Sequence, residues 1–192
     1  MYNYQKDLKR YISTEISIIQ QLDVDAINTA MNLIWNTYET EGTIYIFGNG
    51  GSATTASHFQ NDFNKGVSEY TDKKFRFNCL SDNVATVTAI ANDISYEAIY
   101  SEQLKGRLKK NDIVIAISGS GQSENIIRAV EYAKTLNVPV LGISGYDGGR
   151  LKQLADVSLH VPIADMQIVE DIHMMFDHMM MSVFCKKLKE EE

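Results

Sequence analysis

Apolar residues recur through the first forty positions at steps of three and four: Leu8, Ile12, Ile16 and Ile19, then Ile27, Met31, Ile34, Trp35 and Tyr38. That spacing lines one face of a helix and predicts two helices, with Asp23 or Asp25 as the cap of the second. From Thr43 the pattern changes to short apolar runs separated by longer amphipathic stretches. The runs predict strands at 43–47, 75–80, 113–117, 138–143 and 157–161. The stretches predict helices at 53–63, 84–91, 96–109, 123–136, 148–154 and 166–188. Apolar strands alternating with helices imply the α/β class, with a parallel sheet covered on both faces. A polar connection at 64–74 is placed to border a site.

Two strand-to-helix junctions share a chemistry. Residues 44–47 run into Gly48-Asn49-Gly50-Gly51-Ser52, and residues 113–117 into Ser118-Gly119-Ser120-Gly121-Gln122-Ser123, each ahead of a helix. In an open parallel sheet, loops at the carboxyl ends of strands face a common crevice near the point where strand order reverses. Unpaired N–H groups at a helix start, together with the helix dipole, attract an anion. Ser118, Ser120 and Ser123 add hydroxyl donors. Neither loop carries a lysine, and no G-x-x-x-x-G-K-[ST] or G-x-G-x-x-G nucleotide fingerprint can be read. These loops fit a small-molecule monophosphate, a phosphosugar.

Composition narrows the class further. The chain has 192 residues and a formal net charge of -7. Such an acidic chain repels polyanions, which argues against nucleic-acid or membrane-surface partners. No run nears the roughly 20 apolar residues of a membrane span, and the first residues lack a secretory apolar segment, so a cytoplasmic location is expected. Cys79 and Cys185 lie far apart without C-x-x-C spacing and read as reduced thiols. With two prolines and no Gly/Ser-rich linker, one domain over 1–192 is expected, helical over 1–41 and α/β over 42–192.

Histidines and carboxylates supply the candidate chemistry. His58 and Asp62 are four apart on the helix after the first glycine loop, and Glu170 and His178 eight apart on the last helix, so each pair shares a helix side. An i,i+4 pair can be no more than a surface contact worth about 0.2–0.5 kcal/mol. An imidazole and a carboxylate aimed from a phosphate loop can also move protons beside a carbonyl, as aldose–ketose isomerisation requires. Two imidazoles and two carboxylates also suit a borderline divalent metal such as zinc. His173 and Asp177 read as a surface pair on a different face, and His160 as structural. The methionines at 174, 175, 179, 180 and 181 read as core or subunit packing. Both terminal helices look apolar enough to be buried between subunits.

Gly48-Asn49-Gly50-Gly51-Ser52 with His58-Phe59, Asp82, Ala91-Asn92-Asp93, residues 117–123, Gly145-Tyr146-Asp147-Gly148-Gly149 and Glu170-Asp171-Ile172-His173 through His178 follow one another as in a known family. By these motifs the chain resembles the SIS (sugar isomerase) domain family, and most closely its phosphoheptose isomerase branch. The resemblance implies a three-layer α/β sandwich, a five-stranded parallel Rossmann-like sheet with an N-terminal helical extension, in a homotetramer with sites at subunit interfaces. It implies an enediol isomerase acting on a phosphosugar such as sedoheptulose 7-phosphate. Ser118, Gly119, Ser120 and Ser123 would hold the phosphate, with Asn49, Gly50, Gly51 and Ser52 in the site and Asp93 near the sugar hydroxyls. Asp62, with Glu170 as substitute, would be the base and His178 the acid. The zinc places of some members fall on His58, Asp62, Glu170 and His178.

The chain departs from the family pattern where a Glu has become Asp62 and a Gln has become Glu170. An arginine is unmatched around Gly66, and an acid has become Gln167. Two carboxylates close together would need a cation or a shared proton. These changes leave open an isomerase for another sugar phosphate, or a non-catalytic member that binds a phosphosugar or a replication initiator.

Overall fold

The structure is a computed structural model and describes residues 2–190. Its helices and strands follow the order α1 (Gln5–Ile19), α2 (Val24–Glu39), β1 (Ile44–Gly48), α3 (Gly51–Asn61), β2 (Phe77–Cys79), α4 (Val84–Asp93), α5 (Ser101–Leu104), β3 (Ile113–Ser118), α6 (Glu124–Thr135), β4 (Val140–Ser144), α7 (Gly149–Leu154), β5 (Val157–His160) and α8 (Met166–Glu190). All five strands are parallel, in the order β2-β1-β3-β4-β5. Strand order therefore reverses between β1 and β3, and the crevice for a ligand lies at their carboxyl ends. Their register pairs Gly48 with Ile117, which sets Asn49 and Ser118 side by side as the two loops leave the sheet.

The sheet is covered on both faces because its strands carry apolar residues at odd and even positions alike. Ile44, Ile46, Ile113, Ile115 and Ile117 pack on one side with Ile34 of α2, Phe59 of α3 and Phe176 of α8. Tyr45, Phe47, Val114 and Ala116 pack on the other with Leu104 of α5, Ile126 and Val130 of α6 and Leu151 of α7. Asp23, not Asp25, caps α2 by accepting from the Ala26 N–H at 2.9 Å. α1 lies outermost, with Leu8, Ile12 and Ile16 exposed.

Three expectations need correction. The helix read at 96–109 is a 3-10 turn at Tyr96–Ala98 followed by the short α5. Beyond it Gly106, at φ +72°, leaves the helical region. The connection at 64–74 is not a polar loop at its start: α3 runs on as a π-turn over Asp62–Gly66 and a 3-10 turn over Val67–Tyr70. Asn64 then pairs with Phe77, donating to its carbonyl at 2.9 Å and accepting from its N–H at 2.8 Å. Finally, His173 and Asp177 are no surface pair: they are 1% and 0% exposed, facing the core from α8. Met180 is buried as expected, while Met175, Met179 and Met181 pack against the same core only in part.

Candidate active site

A hollow of about 140 Å³ sits at the β1–β3 crevice, lined by Asn49, Ser52, Ser118, Gly119, Ser120, Ser123 and Glu170. Gly50, at φ +52°, turns the chain into α3. Gly51 must lack a side chain because a Cβ there would lie 2.6 Å from Glu170 Oε1. In the second loop Ser118 Oγ accepts from the Gly121 N–H at 3.1 Å and donates to Ser123 Oγ at 3.4 Å. Ser120 Oγ accepts from the Gln122 N–H at 3.3 Å. The loop is braced from behind: Gly121, at φ +66°, touches Gly148 so closely that a Cβ would meet the Gly148 carbonyl at 2.1 Å. Serine hydroxyls and two helix starts make the hollow an anion cradle, with no cationic side chain among the described residues that line it.

Sequence reasoning missed two residues that shape this cradle. Asn125 exchanges two amide hydrogen bonds with Asn49, both at 2.9 Å, and so ties the first loop to α6. Tyr100 donates to the Gly48 carbonyl and to Asn49 Oδ1. Burial pushes the Tyr100 phenol up to about 12, so it remains a donor at neutral pH. Nothing in the local sequence around either residue signals these roles, because both contacts join segments distant in the chain. Asp93, by contrast, is exposed at the end of α4 and does not line the hollow. Its side chain accepts from Asn92 at 2.8 Å.

A second group of side chains lies farther along the α3–α8 pair. His58 Nε2 is 3.4 Å from Asp62 Oδ2 and 3.2 Å from His178 Nε2. Two imidazole nitrogens at that separation must share a proton or turn their lone pairs to one cation. Ligand atoms of His58, Asp62, Asp177 and His178 all lie within 4.8 Å of one another. The two imidazoles are exposed and the two aspartates buried beneath them. Of the residues read as metal ligands, His58, Asp62 and His178 meet here; Glu170 stands at the hollow instead. Asp177 takes its place in the group.

Close contact between α3 and α8 makes this possible. A Cβ on Gly66 would lie 2.4 Å from Met181 Cε, so glycine lets the π-turn press against α8. The π-turn starts at Asp62 itself, a common device for aiming a functional side chain. Electrostatics in the core are unusual. Burial, with Asp62 adding repulsion, pushes the Asp177 carboxyl up to about 8. Burial also pushes the His173 imidazole down to about 4. Neither Asp177 oxygen has a hydrogen-bond partner among the described residues. His160 is held structurally, its Nε2 3.1 Å from the Tyr146 carbonyl oxygen and its Nδ1 3.0 Å from Lys152 Nζ.

Comparison with known proteins agrees with the fold. Residues 4–145 match the SIS domain family. The phosphoheptose isomerase of Helicobacter pylori is 36% identical over 156 residues, 81% of either chain. That of Nitratiruptor sp. is 32% identical over 179 residues, 93% of this chain and 95% of its own. A phosphoheptose isomerase structure from Francisella tularensis superposes with a TM-score of 0.88 at 26% identity, covering 96% of this chain and 100% of the other. The phosphoheptose isomerase GmhA from Neisseria gonorrhoeae gives 0.86 at 26% identity, over 95% and 98%. The chain belongs to the SIS domain family and, within it, to the phosphoheptose isomerases.

Proposed function

We propose that the chain isomerises sedoheptulose 7-phosphate to the corresponding aldose, D-glycero-D-manno-heptose 7-phosphate, through an enediol. The carrying observation is the spacing of the two groups along two helices that run the same way. Gly51 meets Glu170 at one end and His58 meets His178 at the other. Seven or eight residues at about 1.5 Å each separate those ends by about 10–12 Å. In an extended seven-carbon chain, with C–C bonds of about 1.5 Å, a phosphate on the last carbon leaves the first two about 8–10 Å away. The phosphate rests among Ser52, Ser118, Ser120 and Ser123, and the reacting carbons reach the imidazoles.

Asp62 is the base, because it shares the reacting end with His178; Glu170 stands at the phosphate end. Asp62 removes the proton from C1 of the ketose while His178 protonates the carbonyl oxygen on C2, and the enediol forms. Return of the proton to C2, with loss of the O1 proton, completes the aldose, so no atom or electron is gained or lost.

A zinc ion fits the donor set at this end, where two imidazoles and an acid converge and a buried carboxylate lacks a partner. His58, Asp62 and His178 would hold it, and when bound it would neutralise charge developing on the enediolate. The hollow is smaller than the roughly 300–1,000 Å³ of a complete ligand pocket. Walls from neighbouring subunits fit that deficit, and the exposed stripe of Leu8, Ile12 and Ile16 is a surface for them to cover. In this reading the working unit is a homotetramer of single-domain chains, residues 1–192, with a sugar phosphate as its ligand. Two free thiols suit a reducing cytoplasm. Asp62→Asn and His178→Ala, each folded, should lose turnover by about 100-fold or more; near-parental rates in both would end the assignment.

A further inference from the structure

We propose that Asp177 is the second carboxylate of a divalent-cation site completed by His58, Asp62 and His178, with Glu170 left outside it. One ligand atom from each of these four residues lies within 4.8 Å of the other three. Asp177 is 0% exposed, and neither of its oxygens has a hydrogen-bond partner among the described residues. A carboxyl sealed in a core without a donor keeps its charge only where a cation compensates it. Complete burial within its own chain also means that no neighbouring subunit reaches it. A cation that replaces the Asp177 proton therefore sits on the side facing Asp62 and the imidazoles.

Charge and donor chemistry agree with that placement. Two aspartates and two neutral imidazoles balance a dication, and mixed nitrogen and oxygen donors suit zinc or a neighbouring first-row ion. His58 and His178 are exposed, so the group faces solvent on the imidazole side, as an ion that must accept a substrate oxygen requires. Glu170 is engaged elsewhere, against Gly51 and the serine hollow. The site rests on the metal-binding part of the reading above and is independent of which sugar is used.

The test is Zn²⁺ titration of the chelator-stripped full-length protein against a chromophoric chelator, with the visible absorption of bound Co²⁺ as a second readout. Asp177→Asn and Asp177→Ala should each weaken Zn²⁺ by about tenfold or more and alter the Co²⁺ bands, while Glu170→Gln stays within about threefold. Circular dichroism checks the fold; if the alanine variant does not fold, the near-isosteric asparagine decides. Parental Zn²⁺ affinity in the Asp177 variants, or an equal loss in Glu170→Gln, overturns the proposal. So does a parent protein that binds no zinc. Turnover of sedoheptulose 7-phosphate by that chelated parent would then leave the isomerase reading standing. Zinc bound through Asp177 with no turnover would remove only the isomerase reading.

Discussion

In the metal-free protein, Asp177 and His173 should make opposite contributions to stability that pH can separate. The Asp177 carboxyl rises from 3.8 to about 8 on folding, through burial and the nearby Asp62. The folded state therefore keeps a proton there that the unfolded chain has released, and this contribution is lost as pH climbs from 3.8 toward 8. His173 falls from 6.5 to about 4, through burial and repulsion from His160, with the Ser144 backbone opposing. Its contribution grows as pH rises between those two values. From pH 4 to 6.5 the extra proton on folded Asp177 cancels the extra proton on unfolded His173. From pH 6.5 to 8 only Asp177 acts, and at about 1.4 kcal/mol per pH unit the chain loses about 2 kcal/mol. For a protein of this size that lowers Tm by about 4–8 °C. Differential scanning calorimetry in chelator across that range measures it. Asp177→Asn should abolish the fall above pH 6.5 and uncover a rise below it that belongs to His173 and to His160, whose imidazole burial also holds below its ordinary value. A flat parent profile from 6.5 to 8, or the same fall in Asp177→Asn, would refute the reasoning.

Two smaller consequences follow from packing. Gly121→Ala places a Cβ 2.1 Å from the Gly148 carbonyl at a residue with φ +66°, which should cost about 1–3 kcal/mol. It should also weaken phosphate-dependent binding, both read by Tm and by KM; a variant with parental values in each would show that the two loops are not braced together. Burial pushes the Cys79 thiol up to about 12, so iodoacetamide at pH 8 should label the less buried Cys185 first. Mass spectrometry reads the order, and faster labelling of Cys79 would contradict the described core.

Much of this fold is legible in the sequence because its strands are short, apolar and bounded by glycine or polar turns. β1 and β3 are buried at every position, and the continuous apolar runs at 43–47 and 113–117 say as much. The phosphate loops are legible for the same reason, since glycine and serine follow each run directly. What escaped depends on contacts between distant segments. The apolar spacing of Ile99, Tyr100 and Leu104 looks like a longer helix, but these residues fill a core around a 3-10 turn. His173 and Asp177 have the i,i+4 spacing of a surface pair. Because α8 is apolar on several sides, its periodicity did not reveal that this face is buried. Asn125 and Tyr100 act through partners 76 and 52 residues away, and no local pattern announces such contacts.

Proton NMR in D2O on sedoheptulose 7-phosphate, with and without Zn²⁺, is the most direct test of catalysis at this site. Deuterium exchange beside the carbonyl or new aldose anomeric signals are expected from the parent protein and not from Asp62→Asn. An unchanged sugar spectrum from folded, zinc-loaded protein would contradict the isomerase assignment.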